Sequence, residues 1–188
     1  GGARAKKCPR RGIGAGGEWA YVSKATASSS ASVSFTGMEF GYDYKVVITG
    51  MSPASTSNLR MQLGSGSTPT YRSGYNGYAG QTIPHTGAVS LTQAYSAGTT
   101  HIILASGIAA SVEDPLSGEI RFFNINNPST SFTHGIVDLE FSTGALAIAR
   151  FVGSFACSDA KSITAVQFTM STGNIATGSF ELWRRAKN

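Results

Sequence analysis

Apolar and polar residues alternate over short segments of the chain, which is the spacing of half-buried β-strands. In 134–141 the apolar residues Val137, Leu139 and Phe141 occupy every second position. Side chains two residues apart share one face of a strand, so this face is expected to pack into a core while the other meets solvent. The segment 43–49 repeats the pattern, with Val47 as its one exception.

Three further segments, 119–125, 146–152 and 163–170, are apolar at both parities or nearly so. A continuous apolar run of this length is typical of a strand in the middle of a sheet, and we expect these three to be central strands buried on both faces. The segment 176–184 alternates again and predicts a terminal strand after a turn at 171–174.

Pro, Gly, Asn and Ser are concentrated between these segments, and each favours turn geometry. The loops predicted in this way are 53–58, 64–69 and 124–131. Nine or ten strands result, and no segment repeats at a fixed period, which disfavours a propeller or solenoid. The fold class predicted is all-β, an antiparallel β-sandwich.

Composition supports this fold and limits the domain count. The 188 residues suit one domain, and only 13% of them are charged, against roughly 25% in an average soluble domain. Ser, Thr, Gly and Asn must therefore cover much of the surface, and they favour strands and turns over helix interiors. We expect one β-sandwich domain over 18–188, with no long helix and no segment as apolar as the roughly 20 residues of a membrane span.

The first seventeen residues form a basic, glycine-rich arm. It contains six glycines, and its cations are Arg4, Lys6, Lys7, Arg10 and Arg11. Such a stretch cannot bury enough apolar area to become ordered alone, so we expect it to gain order only against another subunit. With no aromatic residue among the cations to stack on bases, an acidic protein partner is favoured over nucleic acid.

The net charge of +5 lies mostly at the two ends of the chain. Eight of the fifteen basic residues fall in the arm or in 184–187, while 19–183 holds seven basic and nine acidic residues. The predicted sandwich domain, without its basic C-terminal end, is therefore near neutral or slightly acidic.

Motifs of cofactor and nucleophile chemistry are weak or absent in the sequence. Gly12, Gly14 and Gly17 match G-x-G-x-x-G, but a dinucleotide site requires a strand before it and a helix after it, and here an arm precedes and a strand follows. No nucleophile elbow occurs, and the three histidines are scattered. We expect no catalytic residue, no bound cofactor and no enzymatic activity.

Metal and disulfide chemistry is equally weakly indicated. His134, Asp138 and Glu140 share one strand face, but charged side chains on an alternating strand are usually a solvated face, so no metal site is predicted. Cys8 and Cys157 are the only cysteines. Whether they pair is left open, because the sequence gives no distance between them.

A tyrosine-rich segment is the most distinctive candidate binding feature. Its members are Tyr71, Arg72, Tyr75, Asn76 and Tyr78, with glycines between them. Tyrosine offers a flat apolar face with a polar tip, which suits stacking on a sugar or contact with a protein. The alternative interpretation is a loop whose tyrosines cover one end of the sandwich.

Several segments together resemble a widespread group of small virion proteins of tailed phages. The segments that carry the resemblance are 18–22, 32–37, 43–48, 118–124, 163–168 and 171–182. The last is the most specific of them. The resemblance implies a jelly-roll-like domain of a phage particle, commonly a tail-fibre or other structural protein, with no catalytic residue to carry over. The basic ending at 184–187 departs from the short apolar tail common in that group.

Three functions follow as hypotheses. In the first, the chain is a virion structural protein of the tail fibre or tail tip, a homo-oligomer such as a trimer, which binds other virion proteins and a host-surface glycan or protein. In the second it decorates the capsid as a cement or head-fibre protein anchored by its arm. In the third it binds or cleaves glycans, which for cleavage requires paired carboxylates; the candidates are Glu113 with Asp114 and Asp138 with Glu140.

Overall fold

The computed structural model describes residues 17–74, 76–84, 92–111, 113–127, 132–144, 148–158 and 162–187, and all regular structure within them is β-strand. The strands are β1 (Ala20–Ser30), β2 (Ser32–Phe35), β3 (Tyr42–Pro53), β4 (Ser57–Ser65), β5 (Thr70–Tyr71), β6 (Asn76–Pro84), β7 (Thr92–Thr99), β8 (Ile102–Ile108), β9 (Leu116–Phe123), β10 (Thr133–Ser142), β11 (Ile148–Cys157), β12 (Ala165–Met170) and β13 (Ile175–Ala186).

Two antiparallel sheets form the sandwich. The large sheet has the order β1-β13-β3-β9-β10-β11-β6-β7, and the small sheet has the order β2-β12-β4-β5, with β8 also paired to β4. The chain passes from one sheet to the other at nearly every early connection: β1 lies in the large sheet, β2 in the small sheet and β3 in the large sheet again. The predicted all-β antiparallel sandwich is confirmed.

The inner faces of the two sheets enclose one core. Along β10 the predicted apolar face is buried, with Val137, Leu139 and Phe141 each at most 2% exposed. Between the sheets, the rings of Phe168 on β12 and Phe180 on β13 meet with centroids 5.5 Å apart. Alternation along each strand thus places large apolar side chains in the core and leaves polar ones outside.

The three segments predicted to be buried on both faces are central strands, but only one face of each is buried. β9 lies between β3 and β10, β11 between β10 and β6, and β12 between β2 and β4. Arg121 on β9 and Val152 on β11 point to solvent, the latter with 42% of its surface exposed. The reason is that each sheet packs against the other on one face only.

The terminal strand is confirmed, although it is not an edge strand. β13 pairs with β1 on one side and with β3 on the other. Two predicted loops contain turns, at 54–56 and 66–69, and the third begins with the turn of Asn124 and Asn126, whose φ angles are 57° and 49°. Asparagine adopts this left-handed conformation more readily than most residues.

The predicted arm lies outside the described residues apart from Gly17, and this includes its five cations and Cys8. Cys157 is fully buried at the end of β11. In the described part of the chain, no helix has the length and apolar content needed to cross a membrane.

Candidate functional surfaces: the arm end and an acidic groove

The chain enters and leaves the sandwich at the same end. Ala20, at the start of β1, pairs with Arg184 near the end of β13, and the backbone N–H of Lys187 donates to the carbonyl of Gly41 at 2.9 Å. We call this the arm end. The opposite, distal end carries the turn at 54–56, the connection before β9 and the connection after β10.

Trp19 fixes the point at which the arm joins the body. Two cations approach its ring, with Lys45 Nζ and the guanidinium carbon of Arg185 each 5.0 Å from the ring centroid. Lys45 also lies over Trp183, and Tyr21 packs against Trp183 edge to face at 5.5 Å. These side chains occupy the outer face of the large sheet, the face that points away from the small sheet. The arm therefore joins the body on this face.

The basic residues at the C-terminus are paired within the fold. Arg184 forms an ion pair with Glu39 at 3.0 Å, and both Arg185 and Lys187 approach Asp43, at 3.2 and 3.8 Å. Exposed pairs of this kind contribute only about 0–1 kcal/mol each. Their main effect is that the negative charges of Glu39 and Asp43 offset the positive charge of the C-terminal cations.

The tyrosine-rich segment is divided between two strands and is not one loop. Tyr71 ends β5, where its ring covers Gly64, and Tyr78 lies on β6, half-buried against the core. Arg72 is only 9% exposed, and its guanidinium donates to the hydroxyl of Ser65. Tyr75 and the side chain of Asn76 lie outside what the structure describes. A receptor-binding role for this segment stays a prediction.

A groove of about 780 Å³ opens on the outer face of the large sheet, towards the distal end. Its acidic lining consists of Glu113, Asp114, Glu119, Asp138 and Glu140, which are half of the ten acidic residues in the chain. The connection before β9 brings the first two beside the carboxylates of β9 and β10. The two carboxylate pairs considered separately in the sequence therefore line one groove, together with apolar side chains such as Val47 and Ile148.

Two of these carboxylates are already engaged by cations. Arg150 on β11 holds Asp138 on β10 through two hydrogen bonds, from Nε to Oδ1 at 2.7 Å and from Nη2 to Oδ2 at 2.6 Å. These bonds lower the pKa of Asp138 and raise that of Arg150. Glu119 accepts a hydrogen bond from Arg121 Nε at 2.7 Å and lies 3.8 Å from Lys45.

The other three carboxylates are not offset in the same way. Glu113, Asp114 and Glu140 form no ion pair among the described residues. Glu113 and Glu140 are exposed, and Asp114 is half-buried. Glu140 lies directly opposite Arg150 in the register of β10 and β11, and its charge helps to raise the pKa of Arg150, so it is partly offset as well. The groove keeps a net negative charge, which would attract a cationic ligand over a distance set by the ionic strength.

Asp138 is poorly suited to act as the general acid of glycoside hydrolysis. A general acid must hold its proton near neutral pH, usually because its pKa is raised, whereas Arg150 keeps Asp138 ionised. Within the described ranges, no group of three His, Cys, Asp or Glu side chains could hold a metal ion. His134 contacts Phe123 at the other end of β10, two side-chain rows from Asp138.

Sequence reasoning missed both the contacts of Trp19 and the gathering of the carboxylates in one groove. Nothing in the spacing links Trp19 to Lys45 and Arg185, because the contact depends on the pairing of β13 with both β1 and β3.

Comparison of the chain with known protein families, characterised proteins and solved structures gives no significant match.

Proposed function

We propose that this chain is a non-enzymatic structural protein of a tailed-phage particle, and that it serves at the tail fibre or tail tip as a module for assembly and host-surface recognition. The observation that carries the proposal is the position of Trp19, which joins the basic arm to one defined end of the sandwich. An arm tied to one end can attach the protein while the distal end faces outward.

The distribution of chemistry supports a role in attachment. The C-terminal cations have acidic partners within the fold, while five further cations of the chain lie in the arm. Arg150 holds Asp138 ionised, which makes Asp138 a poor general acid for hydrolysis. The resemblance of 171–182 and the other segments to small phage virion proteins agrees with this interpretation.

The direct test is to locate the protein on the particle. We expect mass spectrometry of purified virions to detect the chain and immunogold labelling to place it at the tail. Labelling spread over the head would support the decoration alternative instead, and absence from purified virions would overturn both.

Deletion of residues 1–17 tests the role of the arm. The truncated protein should fold, because Trp19 and every strand of the sandwich are retained, and it should fail to incorporate into particles. A matched control replaces the basic residues of the arm with serine at constant length. If the truncated chain incorporated at the same occupancy as the intact chain, the arm would not be the attachment element.

Competition for host cells tests the recognition role. Soluble protein should reduce phage adsorption, and Tyr75→Ala should weaken the competition. Tyr78→Ala is a poor probe, because Tyr78 packs against the core and its loss would also affect folding. Adsorption that is unchanged at saturating protein would remove host recognition from the proposal and leave assembly.

A further inference from the structure

The outer face of the small sheet, which points away from the core, carries a single charged side chain. The strands of this sheet, β2, β4, β5, β8 and β12, contain no aspartate or glutamate, and Arg60 on β4 is their one charged residue. Strand pairing places Thr169 opposite Arg60 and Gln167 opposite both Gln62 and Ser34. These residues alternate with core residues along their strands, so their side chains point outward. The face therefore combines one cation with uncharged amides and hydroxyls.

Arg60 has no anionic partner in the described chain. It forms no ion pair with any described residue, and its Nε is buried without a hydrogen-bond acceptor there. Burial and the nearby charge of Arg60 lower the pKa of His101, so this neighbouring imidazole is neutral near pH 7. A permanently charged guanidinium without a partner is suited to pair with an anionic group of a ligand.

Two glutamines near Arg60 present free hydrogen-bond acceptors. Gln62 Nε2 donates to the carbonyls of Arg72 at 3.2 Å and Thr100 at 3.0 Å, which fixes the amide between β5 and β8. Gln167 Nε2 donates to the hydroxyl of Ser34 at 3.2 Å. No donor among the described residues bonds to the Oε1 of either amide. Each of these oxygens can therefore accept a hydrogen bond from a ligand hydroxyl.

Tyr71 provides an aromatic surface at one end of the same face. It pairs with Gly64 between β5 and β4, and a Cβ at Gly64 would lie 3.0 Å from its ring. Gly64 follows Gln62 by two positions and shares its outward direction, so the ring covers the outer side of the sheet. Arg60 lies four positions before Gly64, which is about 13 Å along the strand. We call this surface the polar face and define it by Ser34, Arg60, Gln62, Tyr71, Gln167 and Thr169.

The composition of the polar face favours a saccharide over a protein as its ligand. The exposed large apolar side chains of the described chain, such as Ile136 and Val152, lie on the large sheet or in connections, and none lies on the small sheet. A protein interface usually has an apolar centre. A sugar instead offers many hydroxyls, which hydrogen-bond to amides, and an apolar C–H surface that packs on a tyrosine ring.

We propose that the polar face binds an acidic saccharide, a sugar chain that carries a carboxylate or phosphate group. Arg60 pairs with the anionic group, Gln62 and Gln167 accept hydrogen bonds from sugar hydroxyls, and the ring of Tyr71 packs on a neighbouring sugar unit. This inference rests on the host-recognition role in the proposed function, and it names the site and the ligand class. The arm joins the body on the outer face of the large sheet, so attachment through the arm leaves the polar face accessible.

A glycan array probed with labelled full-length protein tests the ligand class. The array carries acidic chains, with uronic acid or phosphate groups, beside neutral chains of matched length. We expect binding to acidic chains only, and this binding should weaken at about 1 M salt, where the Debye length is about 3 Å. Comparison of the uronic acid and phosphate chains identifies the anionic group. The absence of binding, or equal binding to acidic and neutral chains, would overturn the proposal.

Single substitutions in the full-length protein locate the site. Arg60→Gln removes the cation, and Gln167→Glu adds a negative charge diagonally across from it with little change in size. With the acidic chain that binds most tightly on the array, each should lower the affinity measured by calorimetry about tenfold or more, because a charged hydrogen bond is lost or opposed. The matched controls are Lys24→Gln and Gln81→Glu, which make the same changes on the large sheet, and they should bind like the wild type.

The basic arm is the competing explanation for any binding of an acidic chain. All four variants retain the arm, so a difference among them cannot arise from its five cations. Thermal melting of each variant verifies that its fold is intact. If Arg60→Gln and Gln167→Glu bind as tightly as their controls, the arm or another surface holds the saccharide, and the polar face is not the site.

These outcomes are distinct from failure of the proposed function. A protein found on virions that binds no acidic saccharide would overturn only the inference about the polar face. A protein that binds through Arg60 but is absent from virions would overturn only the particle role. If soluble protein reduces phage adsorption and both variants do so equally well, host recognition uses a different surface, and the inference fails while the proposed function stands.

Discussion

Phe122 on β9 and Phe155 on β11 meet edge to face over Gly135 of β10, with ring centroids 5.4 Å apart. Gly135 pairs directly with both residues, and the absence of a side chain there lets the two rings come together across the strand between them. The contact joins three neighbouring strands of the large sheet on its buried face, where aromatic cross-strand pairs stabilise a sheet by about 0.2–1 kcal/mol.

Gly135→Ala should therefore destabilise the fold. The added Cβ would collide with the backbone carbonyl of Arg121 and the ring of Phe155, and the backbone atom cannot move without disturbing β9. Overpacking of this kind costs about 1–3 kcal/mol, and we expect the upper part of that range in urea unfolding. Ser154→Ala, at an exposed position on β11, is the control and should change the unfolding free energy by less than about 0.5 kcal/mol.

Phe168→Ala should destabilise the protein more strongly. Phe168 and Phe180 are both fully buried, and their contact joins the small sheet to the large one. Loss of a buried phenylalanine side chain costs about 3–5 kcal/mol through lost apolar burial and the cavity left behind. Phe168→Leu keeps much of the volume and should cost less than half as much in the same measurement. Equal losses would show that filling this volume is unimportant.

Asp138→Asn should destabilise the protein in a pH-dependent way. The pKa of Asp138 is lowered in the folded state by the hydrogen bonds from Arg150. The ionised carboxylate therefore contributes stability above its unfolded pKa of about 3.9, and this contribution is lost as the pH falls through the folded value. Because the pair is half-exposed, we expect a loss below about 1 kcal/mol at pH 7, and the difference should shrink in acid.

Thermal unfolding across this pH range measures the effect, and a double-mutant cycle assigns it. In the Arg150→Ala background, Asp138→Asn should have little further effect at any pH. A loss that persists unchanged below about pH 3 would show that the ion pair is not its cause.

Trp19→Ala should weaken the attachment of the arm to the body. Two cation–π contacts, with Lys45 and Arg185, are lost, and each is worth about 0.5–1 kcal/mol at an exposed site. The emission of the remaining Trp183, which Lys45 also approaches, should change with the release of Lys45. Trp19→Phe should retain part of the stability, and Glu18→Ala should have no effect. An unchanged melting temperature in Trp19→Ala would mean that this cluster does not hold the junction.

The sequence predicts this fold well where strands alternate cleanly. Val137, Leu139 and Phe141 indicate both the strand β10 and its buried face, because each face of that strand has one environment. The same approach fails for β11, where Val152 is apolar but 42% exposed on the outer face. Apolar residues also occur on protein surfaces, so a run apolar at both parities does not establish that both faces are buried.

The candidate site is less accessible to sequence reasoning than the fold. Glu113 and Asp114 reach Asp138 and Glu140 only because the connection before β9 lies over the outer face, and no local pattern encodes that path. The tyrosine-rich segment shows the opposite error, since Tyr71 and Tyr78 are near in sequence but belong to β5 and β6, strands of different sheets. Local spacing predicts strands, whereas the meeting of distant side chains depends on strand order and register.

The pairing of β1 with β13 also determines how this protein can be rebuilt. With the ends of the described chain side by side at Ala20 and Arg184, a short peptide joining them leaves each strand in place, and the exposed turn at 54–56 offers a site to open new termini. Such a circular permutant would present a fused cargo at the pole remote from the original junction.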